Sequence, residues 1–195
     1  MPEKEHLMQQ ALREIARLLR NLVASAKALV HYTRGLIRRD YKDTDFLPRY
    51  QSEVDRRFPM NPTVQFVEGL RDYCLHYRLP PIAATFRITV DDEVPSQRVV
   101  LGKAELQRWN GWSPTTKVFI GASPCQIGIK EVCLQYFSDV SSFFHWMRAE
   151  LLQIHATELR WLKQAMSRYA SLEQAMLRRY GLSSANHGVP LHDHT

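Results

Sequence analysis

A chain of 195 residues, 45% apolar and 24% charged, falls in the range of one globular domain able to bury a core of its own. The formal charge of +6 sets up a field that attracts polyanions, although the same excess also serves solubility. Cys74, Cys125 and Cys133 cannot all pair and form no CxxC, which argues against a disulfide framework or a zinc ribbon and predicts buried, reduced thiols.

From Leu7 to about Tyr41, Leu12, Ile15, Leu18, Leu19, Leu22, Val23, Ala26, Leu29, Val30 and Leu36 recur at steps of three and four, predicting one long amphipathic helix. Charges interrupt its start, so it reads neither as a signal peptide nor as a membrane span, and the expected location is the cytoplasm. Arg34, Arg38 and Lys42 fall four apart at its basic end, where cations complement the helix dipole. Residues 43–62 hold a short periodic piece between proline-marked loops, "DTDFLPRY" and "FPMNP". Asn61 followed by Pro62 has the form of an N-cap with proline at the first helical position, so a second long helix is expected from there to about Arg78. Pro80 and Pro81 then stop it.

Phe86, Ile88 and Val90 alternate with polar neighbours, a turn-rich Asp-Asp-Glu-Val-Pro-Ser follows, and Val99–Leu101 resumes β-branched character, predicting a hairpin. "KAELQRW" and "SPTTKVFI" read as two short helices, the second capped by Ser113, and "GASPCQIG" as a loop. Val132, Tyr136, Val140, Phe143, Met147, Leu151, Ile154, Leu159, Leu162 and Met166 then form a long apolar stripe, with a break expected near Ser167–Ser171 and Gly181 as C-cap. The expected architecture is mainly α: a helical bundle over residues 1–181, with a hairpin and short helices inserted at about 83–128. A disordered tail is expected at 182–195.

The stretch "FVEGLRDYCLHYRLPP", residues 66–81, sets an unusual group of polar side chains at a helix end. On a helical wheel Phe66, Leu70, Tyr73, Cys74 and Tyr77 share the core face, while Asp72 and His76 lie about 100° and 140° round from Arg71. Arg71-Asp72-Tyr73-Cys74-Leu75-His76 resembles the R-x4–6-H motif of HEPN domains, small helical nucleotide-binding and ribonuclease modules of prokaryotic toxin and defence systems, in which a polar residue often follows the arginine. Arg148 with His155 also matches, but Ala149 follows that arginine and the spacing is at its upper limit. The resemblance implies a HEPN-like bundle and RNA cleavage without metal or cofactor. In that reaction the ribose 2′-OH attacks the adjacent phosphorus and leaves a 2′,3′-cyclic phosphate and a 5′-OH. His76 would serve as base or acid near neutrality, Arg71 would hold phosphate oxygens, and Asp72 would orient one of them. Arg78, with Arg34 and Arg38, would contact RNA phosphates. The family's habit of bringing two motifs to one cleft implies a homodimer, and its toxin–antitoxin members imply an antitoxin protein as a further partner.

Plainer readings use the same residues. Arg71 can pair with Asp72, and His76 can cap carbonyls freed by the proline stop, in a purely structural helix-end network. The same cleft can hold a nucleotide, RNA or a protein without turnover. A third reading is a helical interaction protein with Phe143, Phe144, Trp146 and Trp161 as an aromatic face, although such stripes usually belong to a core. His187, Asp193, His192 and His194 in the tail have no fixed spacing, and no metal is assigned to them. No phosphate-binding glycine loop and no hydrolase or metalloprotease signature is present.

Overall fold

A computed structural model describes residues 2–87 and 96–181. In chain order the elements are α1 (Pro2–Asp40), α2 (Phe46–Arg57), α3 (Pro62–His76), β1 (Ile82–Arg87), β2 (Ser96–Gly102), α4 (Lys103–Gln107), α5 (Pro114–Ala122), β3 (Gln126–Gly128), α6 (Ile129–Ile154) and α7 (Ala156–Tyr180). The fold is mainly α with an inserted hairpin. Two compact units divide the chain, Met1–His145 and Trp146–Thr195.

In the first unit the helix starts are written locally. The Asn61 side chain accepts from the amides of Thr63 and Val64, both at 3.1 Å, and donates to Asp139 of α6 at 2.9 Å. It therefore caps α3 and ties it to α6. Ser113 accepts from the Thr116 amide at 3.2 Å and opens α5. Lys103 closes that helix by donating to the carbonyls of Gly121 and Ser123, at 2.6 and 2.8 Å. Pro48 lies inside the first turn of α2 rather than in a preceding loop, because amides of a first turn need no intrahelical acceptor.

α3 packs against α1 on one side and α5 on the other. Its buried Phe66 and Tyr73 face Trp112: the Phe66 ring stacks at 5.8 Å and the Tyr73 ring at 5.4 Å between centroids, while Trp109 meets Tyr73 edge-on at 5.6 Å. The Trp112 indole donates to the Leu106 carbonyl at 2.7 Å and lies on α3 at Gly69, where an added Cβ would stand 3.0 Å from the ring. A glycine is needed for that approach. Of the side chains assigned to this core face, Phe66, Leu70 and Tyr73 are buried, Cys74 is half-buried, and Tyr77 is exposed. Along α6, Tyr136 and Phe143 are buried, and Phe143 meets Tyr50 and Phe58 edge-on at 5.7 and 5.1 Å.

After α3, Tyr77 and Arg78 donate their amides back to the Tyr73 carbonyl, so the helix ends at His76, two residues earlier than expected. β1 pairs antiparallel with β2 from Ile82 opposite Leu101 to Arg87 opposite Ser96. The segment expected as a turn between them, with Ile88 and Val90, lies outside the described residues. β2 also pairs with β3, Leu101 opposite Ile127, so the predicted "GASPCQIG" loop contains a third strand. Three residues are too few to show a period in sequence.

In the second unit α7 has no buried residue, and Trp161 and Tyr169 are 69% and 70% exposed. The expected break at Ser167–Ser171 does not occur. Both hydroxyls donate to carbonyls four residues back, at 2.9 Å, which satisfies them within a continuous helix. The interruption falls instead at His155, between α6 and α7. Gly181 caps α7 with φ of 62°. The tail, with His187, His192, Asp193 and His194, lies outside the described residues. Among those described, no helix is long and apolar enough to cross a membrane.

Candidate functional site

The end of α3 is held from three sides: the indole on Gly69, the proline stop, and the pairing of β1 with β2. On this fixed stretch Arg71 Nη1 donates to Asp72 Oδ1 at 2.9 Å. The Arg71 side chain is 35% exposed and that of Asp72 51%. One guanidinium hydrogen bond of five is used, which leaves donors for an incoming oxyanion. His76 is exposed and makes no side-chain hydrogen bond among the described residues. It does not cap the helix, so only the Arg71–Asp72 half of the structural helix-end network is present.

Arg71, Cys74 and Leu75 form one wall of an open groove of about 710 Å³, with Arg20, Lys27, His31 and Tyr32 of α1 among the residues opposite. Lys27 is 3.8 Å from Glu68. His76 does not line this groove; it stands round the helix from it, as the wheel predicts. Burial pushes the Cys74 thiol up against the opposing influence of Arg20, which makes it a packing residue rather than a nucleophile.

Arg78 is committed elsewhere. Its Nε donates to the Tyr73 hydroxyl at 3.0 Å, its Nη2 pairs with Glu105, and its guanidinium lies 5.0 Å from the Tyr77 ring centre. Burial raises the Tyr73 hydroxyl pKa, and Arg78 opposes that rise. This arginine locks the end of α3 onto α4. Arg34 and Arg38 are exposed on α1, away from the end of α3, and lie close enough to the buried Tyr50 hydroxyl to offset part of the rise that burial causes in its pKa. Lys42 lies past the end of α1 and pairs with Asp43 at 3.8 Å, so it does not extend the row of Arg34 and Arg38. A cavity bordered by Arg34, Tyr50, Val54, Phe58 and Phe143 measures about 70 Å³, far below the few hundred Å³ that a nucleotide-sized ligand fills.

Cys125 is exposed, contrary to the expected burial, on the short connection between α5 and β3; Cys74 and Cys133 are half-buried, and all three are free thiols. The proposed aromatic face is split: Phe143 is buried, Phe144 and Trp146 are half-buried, and Trp161 is exposed. Sequence reasoning missed Arg20, Lys27 and His31 as neighbours of Arg71. The available signal was their spacing of seven and four on one face of α1, which an apolar-period search passes over. Comparison with family models, with curated proteins and with solved structures returns no match.

Proposed function

We propose that this chain is a HEPN-like endoribonuclease that cleaves RNA without metal, with Arg71, Asp72 and His76 as its reactive group. The observation that carries the reading is that an anchored, half-open guanidinium and, about 140° round the same helix, an exposed imidazole with no side-chain hydrogen bond among the described residues both stand on a stretch of α3 fixed by packing. Arg71, oriented by Asp72, donates to non-bridging phosphate oxygens as charge builds on phosphorus. A histidine removes the 2′-OH proton, the 2′ oxygen forms a bond to phosphorus, and the bond to the 5′ oxygen breaks. A second histidine returns a proton to that leaving oxygen.

One His76 cannot stand on both sides of the phosphorus, so the reaction needs two copies of the chain. α1 has a surface suited to this: Leu7, Leu18, Leu22, Leu29 and Leu36 are exposed and share one side of the helix, away from its buried Leu19, Val23, Ala26 and Ile37. Purified protein is expected to cleave RNA in EDTA, giving 2′,3′-cyclic phosphate ends. His76→Ala should lower the rate by about 100-fold or more while leaving the fold intact, since the side chain is exposed.

A binding module without turnover is the second reading, and one observation favours it: the cationic groove contains Arg71 but not His76. RNA bound tightly and recovered uncut would select it.

A further inference from the structure

α1 has a third face besides its buried side and its leucine side. On a wheel of 100° per residue, Arg13, Arg20, Lys27, His31, Arg34 and Arg38 fall within about 60° of one another. All six are exposed. From Arg13 to Arg38 the row runs about 38 Å at 1.5 Å per residue, nearly parallel to the helix axis. The carboxylate that α1 carries within this span, Glu14, lies about 100° round from Arg13 and holds Arg17 at 2.5 Å.

Most of the row is left unpaired, unlike most other cations of the first unit. Arg39 is held by Asp40, Arg56 and Arg57 by Glu53, Arg98 by Glu131, and Arg78 and Arg108 by Glu105. Arg13, Arg20, Arg34 and Arg38 have neither an ion pair nor a side-chain hydrogen bond among the described residues, and Lys27 has only Glu68 at 3.8 Å. Outside the row, Lys117 and Lys130 are the comparable unpaired cations of that unit among the described residues. Like charges on one helix face repel, so the row carries an electrostatic cost that an extended polyanion would remove.

We propose that this row is a rail for the phosphate backbone of single-stranded RNA, leading the strand into the groove where Arg20 and Lys27 face Arg71. The identity of the polyanion rests on the RNA-directed reading above; the existence of the rail does not. Two features favour a single strand. The row is straight, whereas the phosphates of a duplex curve away from a straight helix. Tyr32, 75% exposed and in the same groove, offers a ring on which an unpaired base can stack. An anionic membrane fits less well, because the exposed leucines lie about 175° from the cations and one flat surface cannot take both faces.

The test is anisotropy titration of the full chain with a labelled 20-nucleotide single-stranded RNA, its duplex, and phosphatidylserine vesicles, in EDTA and across a salt series. If the five permanent cations of the row and Arg71 each neutralise one phosphate, log K falls against log salt with a slope of about −4.2, or about 300-fold between about 50 and 200 mM. R13Q/R20Q/R34Q/R38Q should flatten the slope to about −1.4, the share of Lys27 and Arg71. Tyr32→Ala should weaken single-strand binding by at least about fivefold. K117Q/K130Q, which removes two unpaired charges elsewhere, should leave slope and affinity unchanged. An unaltered slope in the quadruple variant, or an equal loss in K117Q/K130Q, would overturn the rail. Equal affinity for the duplex would overturn the single-strand assignment, and vesicle binding with no RNA binding would overturn the ligand. Failure of the nuclease reading looks different: the strand binds with the predicted slope and stays uncut.

Discussion

At the scale of single residues, Gly69, Arg71 and His76 have separable roles. Gly69 lets the Trp112 ring lie on α3, and a methyl group there would have to push that ring aside. Gly69→Ala is expected to destabilise the protein by about 1–3 kcal/mol, read from chemical denaturation, with a change in tryptophan emission. No loss of stability would mean that the indole does not hold α3. Arg71→Lys keeps the charge but loses the planar fork, so RNA cleavage should fall while the fold is unchanged. The helix-end residues themselves were legible in the sequence, because Asn61, Pro62, Pro80 and Pro81 act on their own neighbours. The engagement of Arg78 by Tyr73 and Glu105 was not, since Glu105 stands 27 residues further along the chain.

At the scale of elements, α2 shows an electrostatic dependence that can be measured. Arg56, and then Arg57, hold the Glu53 carboxyl down to about 2 from 4.5, and the side chain is 15% exposed. A carboxyl depressed in the folded state adds stability above its unfolded value and loses it as pH falls through the folded one. Wild type should therefore lose stability between about pH 4.5 and pH 2, and Glu53→Gln should show a shallower loss in that window. Identical acid limbs would show that the pair contributes nothing. Asn61→Ala removes both the α3 cap and the link to Asp139, and should cost about 0.5–2 kcal/mol in thermal or urea unfolding.

α1 also shows why pattern reading stops where it does. Its leucines all fit steps of three and four, yet Leu19 is buried while Leu18, Leu22, Leu29 and Leu36 are exposed. A period finds apolar positions on a helix but does not say which of two apolar faces meets this chain and which faces outward. Short β3 and the continuous helix through Ser167 and Ser171 escaped for a related reason: a partner strand and back-bonded hydroxyls decide them, and neither is a feature of local composition.

At the scale of the whole molecule, the proposal links three properties of one helix: a buried side that packs on α3, a leucine side free for a second copy, and a cationic side free for RNA. Light scattering at micromolar concentration is expected to give twice the chain mass, and L22E/L29E is expected to give the chain mass with the fold retained. A wild-type monomer would remove the two-histidine mechanism.

The most direct measurement is RNA cleavage in EDTA by the wild-type chain and by His76→Ala, with end groups identified on the products. Wild type is expected to give 2′,3′-cyclic phosphate ends, and the folded variant a loss of about 100-fold or more. Uncut RNA from a folded, RNA-bound wild-type protein, or an unchanged rate in His76→Ala, would contradict it.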